Sequence, residues 1–104
     1  MNLIEYVAPL GFDGRPRVRH MRSKGEVTEF MVQYEIFVKG KWHPVVRYDT
    51  SHGYAHRDLM HADGRKEKTE LLLGNLNICL TYAENDLRAN WRLYRERFLK
   101  EVGR

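Results

Sequence analysis

Between Arg47 and Asp63 the chain gathers side chains that can move protons beside a phosphate. Arg47, Asp49, His56, Arg57 and Asp58 form a candidate catalytic set, with Tyr54 among them. An imidazole titrates near neutral pH, so His56 suits a general acid or base. A guanidinium such as Arg47 or Arg57 can grip a phosphate through two parallel hydrogen bonds and offset charge developing on it. Asp49 or Asp58 would orient the imidazole or act as a base, and Tyr54 would stack on a nucleobase. A metal-independent ribonuclease needs little more. The same residues also suit a second reading as cross-strand ion pairs on a wet face. In that reading Asp49 hydrogen-bonds its own Thr50-Ser51 turn, and Gly53 only supplies a positive φ.

No cofactor and no metal is expected. His52 and His56 have the i, i+4 spacing of helical zinc ligands, but the segment reads as turn and strand, where that spacing does not define one face. Adding Asp58, His61 and Asp63 gives no recognisable ligand pattern. Cys79 is the only cysteine. It excludes an intrachain disulfide and a multi-cysteine metal site, and it suits packing beside the apolar stripe of a helix. A reducing cytoplasm is the simplest setting.

Positioning this set requires a sheet. Glu26–Val38 is the clearest strand: Thr28, Phe30, Val32, Tyr34, Ile36 and Val38 alternate with Glu29, Met31, Gln33 and Glu35, so the even positions face a core. Lys39-Gly40-Lys41 is a turn, followed by Trp42–Asp49. With three turn residues, Val38 opposes Trp42, Ile36 opposes Pro44 and Tyr34 opposes Val46, so each pair is apolar. A further turn at Thr50–Gly53 would set Asp49 against Tyr54 and Arg47 against His56. Asp63-Gly64 then joins Tyr54–His61 to Arg65–Leu71. Arg17–Ser23, dense in charge, reads as an edge strand. The face away from the core would carry Gln33, Glu35, His43, Arg47, Asp49, Tyr54, His56 and Asp58.

The C-terminal third is helical. Leu76, Leu80, Ala83, Leu87, Trp91, Tyr94 and Phe98 recur at three- and four-residue steps, Asn75 suits the N-cap, and Gly103 ends the run. A helix over residues 75–101 spans about 40 Å at 1.5 Å per residue. Strands of about eight residues reach at most ~28 Å, so the end with Trp91, Tyr94 and Phe98 would overhang the sheet. Leu3, Ile4, Tyr6, Val7, Leu10 and Phe12, or a second subunit, would cover it. The expected fold is therefore α+β: one domain over 1–104, with an N-terminal segment (1–14), an antiparallel sheet of four to five strands (17–71) and one long C-terminal helix packed on it.

Composition sets limits. The chain of 104 residues is 42% hydrophobic and carries 18 Lys and Arg against 14 Asp and Glu. One modest core fits this length, and a partner chain would help it. No run approaches the ~18 apolar residues that span a bilayer, so no membrane is expected. The opening MNLIEYVAPLGF carries Glu5 and no basic n-region, so it reads as neither signal peptide nor anchor. Basic residues cluster at Arg15, Arg17, Arg19, Arg22 and Lys24, and again at Arg88, Arg92, Arg95, Arg97, Lys100 and Arg104. Arg17, Arg19, Tyr54, Arg88, Arg92 and Arg95 are the candidate nucleic-acid contacts; solvated, ion-paired faces are the plainer alternative.

Trp42-His43-Pro44-Val45-Val46-Arg47-Tyr48-Asp49, then His52-Gly53-Tyr54-Ala55-His56-Arg57-Asp58 and Asp63-Gly64, resembles a family of small prokaryotic proteins without an established activity. Asn90-Trp91 and Tyr94-Arg95-Glu96-Arg97-Phe98 extend that resemblance over most of 26–100. The strand and its His-rich turn, through Arg47, Asp49, His52 and His56, are also similar to TumE-like toxins of type II toxin–antitoxin pairs, though the dense histidine run further on is absent. That similarity implies an RNA-directed or nucleotide-transfer activity and an antitoxin partner. Two functions follow as expectations: a toxin-like protein acting on RNA, or a non-catalytic module that dimerises or binds a partner through the N-terminal segment and the helix end.

Overall fold

A computed structural model describes residues 1–103; Arg104, counted in the C-terminal basic run, lies outside them. The fold is α+β. Six strands form one antiparallel sheet in chain order, β1 (Asn2–Val7), β2 (Gly14–Ser23), β3 (Glu26–Val38), β4 (Lys41–Asp49), β5 (His56–Met60) and β6 (Lys66–Glu70), followed by the helix α1 (Leu76–Val102). The sheet has one strand more than the upper expectation, and the addition is β1. Its apolar residues do not alternate with polar ones, so they carry no period-2 signal. Its presence makes β2 an interior strand between β1 and β3, correcting the expected edge at Arg17–Ser23.

The even face of β3 meets α1. Val32, Tyr34 and Ile36 are buried there with Val46 and Tyr48 of β4, Val18 of β2, and Leu80, Ala83, Leu87 and Phe98 of the helix. The Asn75 side chain accepts from the Ile78 amide and caps the helix start, as its residue type suggests. Asn77 ties that first turn to β3, accepting from the Val27 amide at 2.8 Å. No helix among the described residues is long and apolar enough to cross a membrane.

The β3–β4 register departs from the three-residue turn. Lys39 (φ 52°) and Gly40 (φ 83°) alone form the turn, so Val38 faces Lys41 and Phe37 faces Trp42. Two successive left-handed residues match the right-handed twist of a hairpin, which explains the shorter loop. The register then shifts between Tyr34 and Glu35, and Tyr34 faces Val46 as the apolar pairing requires. This bulge reconciles the short turn with a buried apolar face, and it lies next to Pro44, which has no amide to give a ladder. It also moves His43 to the helix side, where its ring lies 5.9 Å from that of Phe98.

The aromatic end of the helix is covered by a loop more than by β1. Leu10 joins the core margin, and Gly11 lies against Trp91 so closely that a Cβ would stand 3.0 Å from the indole. Arg95 clamps Asp13 through its Nε and its Nη2, the latter at 2.7 Å from Oδ2. Leu3, Ile4, Tyr6, Val7 and Phe12 stay exposed. Gly14 admits no side chain, since a Cβ would come within 2.6 Å of the Leu10 carbonyl oxygen and 2.8 Å of the Tyr34 ring.

Candidate functional site

Directly opposed residues in neighbouring strands share a face. The pairs Arg47↔Asp58 and Asp49↔His56 across β4 and β5, with Arg17↔Gln33, Arg19↔Met31 and Gln33↔Arg47, therefore place Arg17, Arg19, Gln33, Arg47, Asp49, His56 and Asp58 on the sheet face away from the helix. Four of the five candidate catalytic residues meet here. The pairing is two residues further along than expected, because β5 begins at His56, not Tyr54. The turn spends Thr50–Ala55, with Gly53 at φ 84° and the Thr50 hydroxyl accepting from the Phe30 amide at 3.1 Å.

Arg57 is the exception. It faces Tyr48, on the helix side of the sheet. There its Nη1 donates to the Tyr94 hydroxyl at 3.2 Å. Tyr94 and Tyr48 both donate to Asp86 Oδ2, and Asn90 donates to Oδ1. Burial, then the Asp86 contact, pushes the Tyr48 hydroxyl far above its ordinary ionisation range, so it remains a donor. This network joins sheet to helix. The sequence reading missed Asp86, whose signal was its position one helical step from the apolar stripe.

On the open face two chains of contacts lie side by side. In one, Arg47 Nε donates to Gln33 Oε1 at 2.6 Å, the Gln33 amide donates to Glu35, and Arg15 donates to Glu35 at 2.8 Å, with Arg17 at 3.5 Å. Two cations, Arg15 and Arg17, thereby offset the buried Glu35 carboxylate, and Arg47 reaches it only through Gln33. In the other, the Ser51 hydroxyl donates to Asp49 Oδ1 at 3.0 Å and the Ser51 amide approaches at 3.3 Å. His56 Nε2 lies 2.9 Å from the same oxygen and 3.5 Å from Asp58 Oδ2. Its approach to Asp49 is close but out of line, an electrostatic contact more than an aligned hydrogen bond. Nδ1 stands 3.3 Å from the Tyr54 carbonyl oxygen, which can only accept, so Nδ1 carries a proton there.

The exposures separate these residues by role. His56 is 0% exposed, covered in part by the rings of His52 and Tyr54 at 5.3 and 5.5 Å. A group so enclosed reaches no solute directly. Asp49 lines a cavity of about 280 Å³ with Arg19, Met21, Glu29, Met31, Thr50 and Ser51. Arg19, Met21 and Ser51 were not in the candidate catalytic set; Ser51 had a signal in the Asp49-Thr50-Ser51 turn, whereas Arg19 and Met21 enter only through the register of β2.

The candidate nucleic-acid contacts divide between the two sides of the molecule. Arg17, Arg19 and Tyr54 are exposed on or beside the open face. On the helix, Arg95 is held by Asp13, Arg92 lies over the Trp91 ring at 4.4 Å, and Arg88 donates to Asn85. Among the described residues, His, Cys, Asp and Glu form no group of three or more arranged to hold a metal ion. Cys79 is buried, and its thiol lies 3.6 Å from the Leu71 carbonyl oxygen.

Residues 1–104, the whole chain, match a family model described as a domain of unknown function (DUF7718), and the chain belongs to that family. No curated protein and no solved structure matches it.

Proposed function

We propose that this DUF7718 chain is a toxin-like protein that acts on RNA as a metal-independent ribonuclease, working at the cavity beside Asp49. The observation that carries the reading is the position of Asp49: its carboxylate borders the cavity in front, beside Arg19, and touches buried His56 behind. Asp49 is then the base. It takes the proton of a ribose 2′-hydroxyl, the freed oxygen attacks the adjacent phosphorus, and the bond from phosphorus to the 5′-oxygen breaks. The leaving oxygen takes a proton from water, and Asp49 returns its own to solvent. Arg19 offsets charge on the phosphate oxygens. Ser51 and His56 are positioning residues that fix the carboxylate, and Asp58 and Arg47 balance charge behind them. Tyr54 and Arg17 flank the site and suit base stacking and phosphate contact. A toxin of this kind would take an antitoxin protein as its partner.

Titrating the isotopically labelled full chain with short single-stranded RNA tests this reading. Amide shifts should move at Arg19, Asp49, Ser51 and Tyr54, and affinity should fall as salt rises. Shifts confined to Arg88 and Arg92 on the helix, or no shifts, would contradict it.

A further inference from the structure

The two edges of the sheet are built differently. At one, β6 reads Lys66-Glu67-Lys68-Thr69-Glu70, exposed throughout and charged at all but one position, which discourages strand-to-strand joining. At the other, β1 reads Asn2-Leu3-Ile4-Glu5-Tyr6-Val7, also exposed at every position but mainly apolar, without Lys or Pro. Its pairing with β2 runs without a shift from Asn2↔Arg22 to Val7↔Arg17. Leu3, Ile4, Tyr6 and Val7 are between 38% and 58% exposed. The outer edge of β1 is thus a regular, mainly apolar strand whose one charged residue is Glu5.

We infer that β1 pairs antiparallel with β1 of a second copy of this chain, about a two-fold axis through Glu5, joining the two sheets into one. The occupant is argued from self-complementarity. Antiparallel pairing keeps odd residues facing odd ones. Centred on Glu5, it sets Leu3 against Val7 and Ile4 against Tyr6 on each side of the axis, so every off-axis pair from Leu3 to Val7 is apolar. Centred on Ile4, it sets Leu3 against Glu5 and Asn2 against Tyr6, mixing apolar with polar.

The Glu5 register brings two carboxylates together, and the fold already answers this. Arg19 lies directly across from Glu5 in β2, with its Nε 3.8 Å from Oε2. The joined row reads Arg19, Glu5, Glu5, Arg19 and is neutral. Arg19 also borders the cavity beside Asp49, so the pairing sets both cavities on one continuous face with both helices on the other. The inference does not depend on the RNA reading.

Sedimentation velocity of the full chain over a range of concentrations tests it. A dimer population should grow with concentration, and β1 amides should gain protection from hydrogen exchange in step. Glu5→Lys places four cations in the central row and should weaken the dimer by about tenfold. With Cys79→Ala as background, Glu5→Cys should cross-link as a homodisulfide, since directly opposed strand residues fit that geometry, whereas Ile4→Cys should not. A chain that stays monomeric at its highest soluble concentration overturns the inference, as does a dimer without β1 protection. Cross-linking through Ile4→Cys in place of Glu5→Cys overturns the register.

Discussion

Asp49 and His56 face each other across β4 and β5, with Oδ1 and Nε2 2.9 Å apart, and only Asp49 borders the cavity. The imidazole therefore meets the cavity only through the carboxylate. It also stands between two acids, Asp49 and Asp58, both more than nine-tenths buried. Replacing His56 by Ala empties a closed position and leaves both carboxylates without their shared partner. Stability should fall by ~3–5 kcal/mol, the scale for emptying a large buried position and leaving buried polar groups without a partner. Asp49→Asn keeps the shape and should cost ~1–2 kcal/mol. Urea denaturation measures both, and a larger loss for Asp49→Asn would reverse the roles.

The Tyr48–Asp86–Tyr94 network predicts a second ordering. Asp86 accepts from two tyrosines and an asparagine between sheet and helix. Asp86→Ala strands three donors at once and should destabilise by ~3–5 kcal/mol. Tyr94→Phe removes one donor and should cost about 1 kcal/mol. Equal losses would contradict Asp86 as the shared acceptor of all three donors.

The hairpin turn should be sensitive at Gly40. With φ at 83°, a Cβ meets no neighbour there, so the cost is conformational alone. Gly40→Ala should destabilise by ~1–2 kcal/mol, and Lys39→Gly should be neutral or slightly stabilising. Thermal unfolding of the two variants checks the sign of each.

Two ion pairs give opposite pH dependences. Hydrogen bonds from Arg95 hold the Asp13 carboxyl below its usual value. Its contribution is present above about pH 4 and is lost as pH falls through the lowered folded value; Arg95→Met should flatten that acid limb. Glu67, then Glu101, raises His61 above the usual imidazole value. That contribution is full below about pH 6.5 and is lost as pH rises through the raised folded value; Glu67→Gln should diminish it. Unfolding measured across pH for both variants separates the two limbs.

Much of this architecture is legible in the residues. The alternation in 26–38 identifies the face that meets the helix, and the stripe from Leu76 to Phe98 identifies the helix itself. The open polar face follows from parity, which is why Arg47, Asp49, His56 and Asp58 could be grouped without coordinates. Arg57 was misplaced by the opposite reasoning: it was grouped by chemistry, although its odd number puts it beside Tyr48 once β5 pairs from His56. The bulge at Tyr34/Glu35 could not be read, because a two-residue turn with a bulge and a three-residue turn without one both give the Tyr34–Val46 pair. Strand β1 was hidden because an exposed apolar edge lacks alternation. The enclosure of His56 depends on how the 50–55 turn folds over it, which no spacing encodes.

The most direct test of the central claim is cleavage of a single-stranded RNA by the full chain, compared with Asp49→Asn, Arg19→Ala and, as a control on the charged edge, Glu70→Gln. Asp49→Asn should abolish cleavage while the variant remains folded, Arg19→Ala should reduce it by about a hundredfold, the scale for losing one group that stabilises developing charge, and the control should match the parent. RNA cleavage by Asp49→Asn at the parental rate, or no cleavage by the parent itself, would contradict the account.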